Sequence, residues 1–189
     1  MNLANQLTVL RIILALAVFI ALMSGHPGSH LAASALFLAA IITDWIDGYV
    51  ARKMKTISAF GQILDPIADK ILVLGTLIAL TLHKSLDIPA WGIFAIVARE
   101  LLIGGIRALS AVQGKVLSAE RWGKWKMAVQ SVSVMLMLFI LLASEHLPGL
   151  PAWVMLAPYP LTVLCVIVAW SSLWYYFQQS RNLIEKSWG

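Results

Sequence analysis

Six stretches of the chain are apolar over nearly the length of a membrane crossing: Leu7–Met23, Leu31–Tyr49, Ile63–Leu82, Ile88–Ile106, Met127–Ala143 and Trp153–Phe177. A helix needs about 20 such residues to cross. The runs of Leu, Ile, Val and Ala do not alternate, so a small β-barrel, built from alternating segments of roughly ten residues, is excluded. Hydrocarbon offers no partner to backbone N–H and C=O groups, so the stretches are predicted to be helices. Ser24–His30, Lys53–Phe60, His83–Asp87 and Ser144–Pro151 are short connectors, and Arg107–Lys126 is longer and basic. Pro66 predicts that the third helix starts just before Asp65, because proline fits a first turn. Pro158 and Pro160 predict a kink, or a sixth helix delayed to near Leu161. The expectation is one all-α domain over residues 1–189, a polytopic membrane protein with six transmembrane helices.

Composition agrees. Of 189 residues, 60% are hydrophobic and 12% charged, with a mean hydropathy of +0.85. Soluble domains average about 25% charged, so a soluble globular protein and a disordered chain are both excluded. The lone cysteine, Cys165, rules out an internal disulfide and a cysteine-based metal site. Fourteen Lys and Arg against nine Asp and Glu give a formal charge of +5. In so apolar a chain this points to anionic headgroups or phosphate substrates, and no interleaved basic and aromatic surface suggests nucleic acid.

The charges are unevenly placed. Lys53, Lys55, Lys115, Arg121, Lys124, Lys126, Arg181 and Lys186 fall on one predicted side together with the N-terminus. The other side holds only Lys84, against Asp87 and Glu145. The positive-inside rule makes the first side cytoplasmic, with both termini there. The first span has no basic start before Arg11 and no small-x-small cleavage site, so it is read as a retained helix rather than a leader. All four histidines, His26, His30, His83 and His146, fall in or beside the opposite loops. Histidine is therefore not expected in chemistry on the cytoplasmic side. Trp122, Trp125, Trp170, Trp174, Tyr175 and Tyr176 lie at span ends and read as an interfacial belt.

Four carboxylates break the apolar pattern within 26 residues: Asp44, Asp47, Asp65 and Asp69. Each charge at membrane depth costs about 2.5–3.5 kcal/mol on insertion scales, so each needs a partner or a task. Asp44 and Asp47 are i,i+3 and share a helix face, and Asp65 and Asp69 are i,i+4. The short connector makes the two helices antiparallel neighbours whose carboxylates can converge. Four oxygen donors suit hard divalent ions, Mg²⁺ or Mn²⁺, and two such ions match four negative charges. Two-ion sites serve phosphoryl transfer. The competing readings are ion pairing inside the bundle with Arg52, Arg99 or Lys70, and a cation transporter using the same carboxylates. Gly48 and Ala51 thin the Asp44–Asp47 face, either to admit a base or ribose or for close helix packing. Arg52 is placed to hold a diphosphate or to anchor at the interface.

The run Asp44-x2-Asp47-Gly48-x2-Ala51-Arg52-x8-Gly61-x3-Asp65-x3-Asp69 resembles the signature of the CDP-alcohol phosphatidyltransferase family at all eight of its fixed positions. In span number and motif placement the resemblance covers essentially the whole chain. It implies a membrane enzyme in which an alcohol attacks the β-phosphorus of a CDP-linked substrate and CMP leaves. It further implies two divalent cations held by Asp44, Asp47, Asp65 and Asp69, with Asp69 the general base. The CDP moiety would meet Gly48, Ala51, Arg52 and Gly61. A homodimer in the bacterial inner membrane, with a cytoplasmic active site, is also implied. A carboxylate on a metal is a weak base, and a metal-activated hydroxyl would lower the demand on Asp69.

Outside the signature the chain is most similar to the branch whose acceptor is glycerol 3-phosphate and whose donor is CDP-diacylglycerol. The residues carrying this are Asn5-x2-Thr8-x2-Arg11, Thr43-Asp44-Trp45, Asp65-Pro66-x-Ala68-Asp69-Lys70, Arg99-Glu100-x6-Arg107 and Gly123-Lys124-Trp125-Lys126. The cardiolipin synthase branch, whose acceptor is phosphatidylglycerol, is the alternative. A phosphorylated acceptor brings about −2 at pH 7 and needs cations. Arg99 and Arg107 share a predicted helix, and Lys124 and Lys126 begin the next from the same side. These four are the candidates to hold the acceptor phosphate, against a plain anchoring role for the lysines.

Overall fold

The computed structural model describes residues 3–54, 59–112, 121–147 and 149–188, with side chains for 5–44, 64–112, 123, 125–147 and 149–178. The helices are α1 (Leu3–Met23), α2 (Ser29–Met54), α3 (Ala59–Thr81), α4 (Ala90–Val112), α5 (Arg121–His146), α6 (Ala152–Leu156) and α7 (Pro158–Trp188). No strand occurs among the described residues. The six long helices cover the six predicted apolar stretches. Asn5–Met23, Trp125–His146 and Ala152–Gln178 are each long and apolar enough to cross a membrane. Ser29–Asp44 is a shorter apolar run.

Two starts differ from expectation. Pro66 lies inside α3, not in its first turn, and the helix begins at Ala59. Asp65 is therefore beyond reach of the positive helix end, which acts only over the first turn. In an apolar medium a helix extends rather than expose backbone, and one missing proline N–H does not stop it. Likewise α7 starts at Pro158 rather than near Leu161. Pro158 and Pro160 both fit the first turn, where N–H groups lack helical partners anyway. The residues just before them form the separate short helix α6.

The chain divides into two compact units, Met1–Asp87 with Val134–Pro158, and Ile88–Ser133 with Tyr159–Gly189. In the first, α1 packs on both α2 and α3. Its buried stripe is Thr8, Arg11, Ala15, Val18 and Leu22, a 3-4-3-4 spacing that keeps one face inward. Along α2 the matching stripe is His30, Ala33, Phe37 and Ala40. Gly25 and Gly28 turn the chain between α1 and α2 at φ of 61° and 80°, conformations that cost other residues a Cβ clash. At this end the His30 Nδ1 meets Glu145, and the His30 and His83 rings pack edge to face at 4.8 Å.

In the second unit α4 buries Gly92, Ile96, Arg99, Glu100 and Ile103, and α7 buries Thr162, Cys165, Ala169, Ser172 and Tyr176. Gly92 permits close approach of α7: a Cβ there would lie 2.6 Å from the Thr162 methyl. Of the aromatics read as a belt, Trp125, Trp170, Trp174 and Tyr175 are exposed, the Trp122 side chain lies outside the described residues, and Tyr176 is buried. Its hydroxyl and ring both serve Arg107.

Candidate active site

The signature carboxylates of α2 and α3 meet α1. The Thr8 hydroxyl donates to Asp65 Oδ1. Arg11 Nη1 donates to Asp69 Oδ1 at 2.8 Å, and its Nη2 lies 2.7 Å from Asp44 Oδ1. Arg11 is 1% exposed, whereas the Asp44 side chain is 53% and the Asp69 side chain 27% exposed. A buried guanidinium must be paired, and a fork of five donors can serve two carboxylates at once. Ala68, fully buried between Asp65 and Asp69, keeps that face of α3 thin. Asp69 of α3 and Asp44, the last described side chain of α2, thus meet one cation, while Asp65 is held by Thr8.

Asp47, Gly48, Ala51, Arg52 and Gly61 lie outside the residues whose side chains are described. Among the described residues no three donors already form a metal cage. The donor chemistry nevertheless fits divalent ions. All three described carboxylates are hard oxygen donors, two of them already gather around a positive charge, and each has one oxygen outside the contacts made by α1.

In the second unit, Arg99 donates from Nε to the Ala169 carbonyl at 3.0 Å, from Nη1 to Glu100 at 2.9 Å, and from Nη2 to the Ser172 hydroxyl. Lys126 Nζ meets the same Glu100 oxygen. All three charged side chains are buried. Arg107 Nη2 donates to the Tyr176 hydroxyl at 3.1 Å, the guanidinium carbon lies 5.4 Å from that ring's centroid, and Nε is buried with no hydrogen-bond partner. Arg107 therefore retains a donor for a ligand, while each Arg99 nitrogen already donates to a protein acceptor. The Lys124 side chain lies outside the described residues. Beside this network α4 and α7 enclose a wholly apolar groove of about 410 Å³, lined by Leu102, Ile106, Trp170, Leu173, Trp174 and Phe177. The indole N–H of Trp170 is turned to the Ala95 carbonyl.

Along the sequence Thr8, Arg11 and Glu100 stand only in the branch resemblance, with no place in the site. One signal was available for Arg11: it is the only basic residue in the first apolar stretch.

Comparison with known proteins follows the same residues. A model of the CDP-alcohol phosphatidyltransferase family matches residues 1–179. The chain is similar to a CDP-diacylglycerol–glycerol-3-phosphate 3-phosphatidyltransferase of Bacillus subtilis (strain 168), at 34% identity over 98% of each chain. It is similar to the protein of the same name from Pseudomonas fluorescens, at 36% identity over 93% of this chain and 88% of the other. It is also similar to a cardiolipin synthase (CMP-forming) of rice, at 37% identity over 84% of this chain and 51% of the other.

Proposed function

Because the chain belongs to the CDP-alcohol phosphatidyltransferase family, we propose that this membrane phosphatidyltransferase moves a phosphatidyl group from CDP-diacylglycerol to glycerol 3-phosphate. The products are phosphatidylglycerol phosphate and CMP. The carrying observation is the meeting of Asp44 and Asp69 with the buried Arg11 and of Asp65 with Thr8, all three acids at signature positions. The names of the bacterial relatives support the donor and the acceptor.

In this reading Asp44, Asp47, Asp65 and Asp69 hold two divalent cations, Mg²⁺ or Mn²⁺. Such ions neutralise the diphosphate and lower the pKa of a bound hydroxyl. Asp69 accepts the proton of the acceptor hydroxyl as its oxygen bonds to the β-phosphorus. The bond from that phosphorus to the bridging oxygen breaks, and CMP departs with the electron pair. Gly48, Ala51, Arg52 and Gly61 receive the CDP moiety. Arg107 and Lys124 meet the acceptor phosphate directly, and the Arg99–Glu100–Lys126 network positions α4 and α5 behind them. The six long helices cross the bacterial inner membrane with both termini and the carboxylates on the cytoplasmic side, in a homodimer.

The test is CMP release by purified protein in detergent, with CDP-diacylglycerol, Mg²⁺ or Mn²⁺ and one acceptor at a time. Release with glycerol 3-phosphate, abolished by a chelator, is the expected result. The rice relative keeps a second acceptor in view: release with phosphatidylglycerol and not with glycerol 3-phosphate would retain the family chemistry and replace the acceptor.

A further inference from the structure

Thr8 and Arg11 stand outside the eight-residue signature, on a helix that carries none of it. They are nevertheless the first two members of the buried stripe of α1, each 1% exposed. A stripe that continues as Ala15, Val18 and Leu22 would pack with apolar residues at these two places as well. Placing a buried guanidinium there is costly unless its charge has a task.

The contacts define the task. Thr8 engages one oxygen of Asp65, and Arg11 engages one oxygen of Asp69 and one of Asp44. Three carboxylates from two helices are thereby oriented from a third, and in each the other oxygen is outside these contacts. A carboxylate held by one oxygen has lost the rotation that would carry the other away from an ion. Hydrogen bonds behind metal ligands commonly contribute about 10–100-fold in metal affinity for this reason. Arginine suits the position because its flat fork reaches two carboxylates in a set geometry, which a lysine ammonium cannot reproduce.

We propose that Thr8 and Arg11 are positioning residues, which aim Asp44, Asp65 and Asp69 at the divalent ions from behind. This rests on the metal reading of the carboxylates given above. It opposes the alternative in which Arg11 is a counter-ion that competes with the metals. The two differ in sign: loss of a competitor tightens metal binding, and loss of a positioning residue weakens it.

The experiment titrates Mn²⁺ into purified protein without CDP-lipid, following free Mn²⁺ by electron paramagnetic resonance. Thr8→Val, which keeps the shape and deletes the hydroxyl, and Arg11→Lys, which keeps the charge and deletes the fork, are each expected to bind about 10–100-fold more weakly than the parent. Thr8→Ser is expected to bind as the parent does. Helix content and elution profile confirm folding, and the near-isosteric Thr8→Val keeps the test open if Arg11 variants do not fold. Parent-like or tighter binding by folded Thr8→Val and Arg11→Lys overturns the proposal while the metal reading stands. Absence of Mn²⁺ binding by the parent protein overturns the metal reading itself, and the proposal with it.

Discussion

Each of the two units buries a charged network, and the two are built to opposite ends. In the first, two carboxylates meet one guanidinium and remain partly open to the outside, and a third, Asp65, is held by Thr8. In the second, one carboxylate lies between two cations, and all three side chains are sealed. An acid surplus with open oxygens is an arrangement ready to receive cations. A closed pair of salt links with carbonyl and hydroxyl partners engages all three nitrogens of Arg99 with the protein itself. The two networks thus differ in the exposure of their acids, open at Asp44 and Asp69 and sealed at Glu100.

The sharpest way to break this contrast is to remove one acid from each network. Asp69→Asn and Asp65→Asn keep shape and an acceptor for Arg11 or Thr8. They are expected to lower CMP release by about a thousandfold or more, as loss of a general base and metal ligand would. Melting temperature in detergent should barely move. Glu100→Gln leaves Arg99 and Lys126 buried beside a neutral group, and is expected to cost about 3–5 kcal/mol of stability. It is read as lowered melting temperature and folded yield. A Glu100→Gln protein as stable as the parent, or an Asp69→Asn protein with full turnover, would erase the distinction.

Much of this was legible along the chain. The all-helical fold followed from six long apolar stretches, and Asp44 and Asp69 meet at Arg11 on neighbouring helices as the short connector led one to expect, with the Asp47 side chain outside the described residues. The departures have physical causes. Pro66 reads as a first-turn residue because proline loses no helical hydrogen bond there; α3 instead starts at Ala59 and runs through it. Tyr176 was read with the exposed aromatics of its segment, but it continues the α7 stripe Thr162, Cys165, Ala169 and Ser172 at the same 3-4 spacing. The partners of Thr8 and Arg11 on α2 and α3 are far away in sequence, and their meaning appears only when α1 lies against those helices. The depth of Arg99 in its stretch fits either a functional or an ion-paired residue, and the structure pairs it with Glu100.

A smaller effect separates packing from charge in the second unit. Gly92→Ala places a methyl 2.6 Å from Thr162 Cγ2, and is expected to cost about 1–3 kcal/mol through overpacking. Thr162→Ser removes the offending methyl, so the double variant should recover most of the loss. Recovery in melting experiments would show that α4 and α7 are held by shape as well as by Arg99. Strictly additive losses would return the whole effect to causes other than this contact.

The smallest expected effect lies at the histidine end of the first unit. Burial, then the neighbouring His30, push the pKa of His83 below its ordinary 6.5, against weaker support from the Leu22 carbonyl and Glu145. The folded protein therefore keeps His83 neutral where the unfolded chain takes up a proton. Since the unfolded state binds more protons in that window, stability is present above pH 6.5 and declines as pH falls below it, ceasing to decline once the folded form also protonates. His83→Gln cannot titrate and should flatten the slope of melting temperature between pH 7 and pH 5, while leaving CMP release at pH 7 unchanged. A variant with the parent slope would place the acid sensitivity elsewhere. A variant that lost turnover at pH 7 would show that the histidine end and the carboxylate end of α1, α2 and α3 do not act separately.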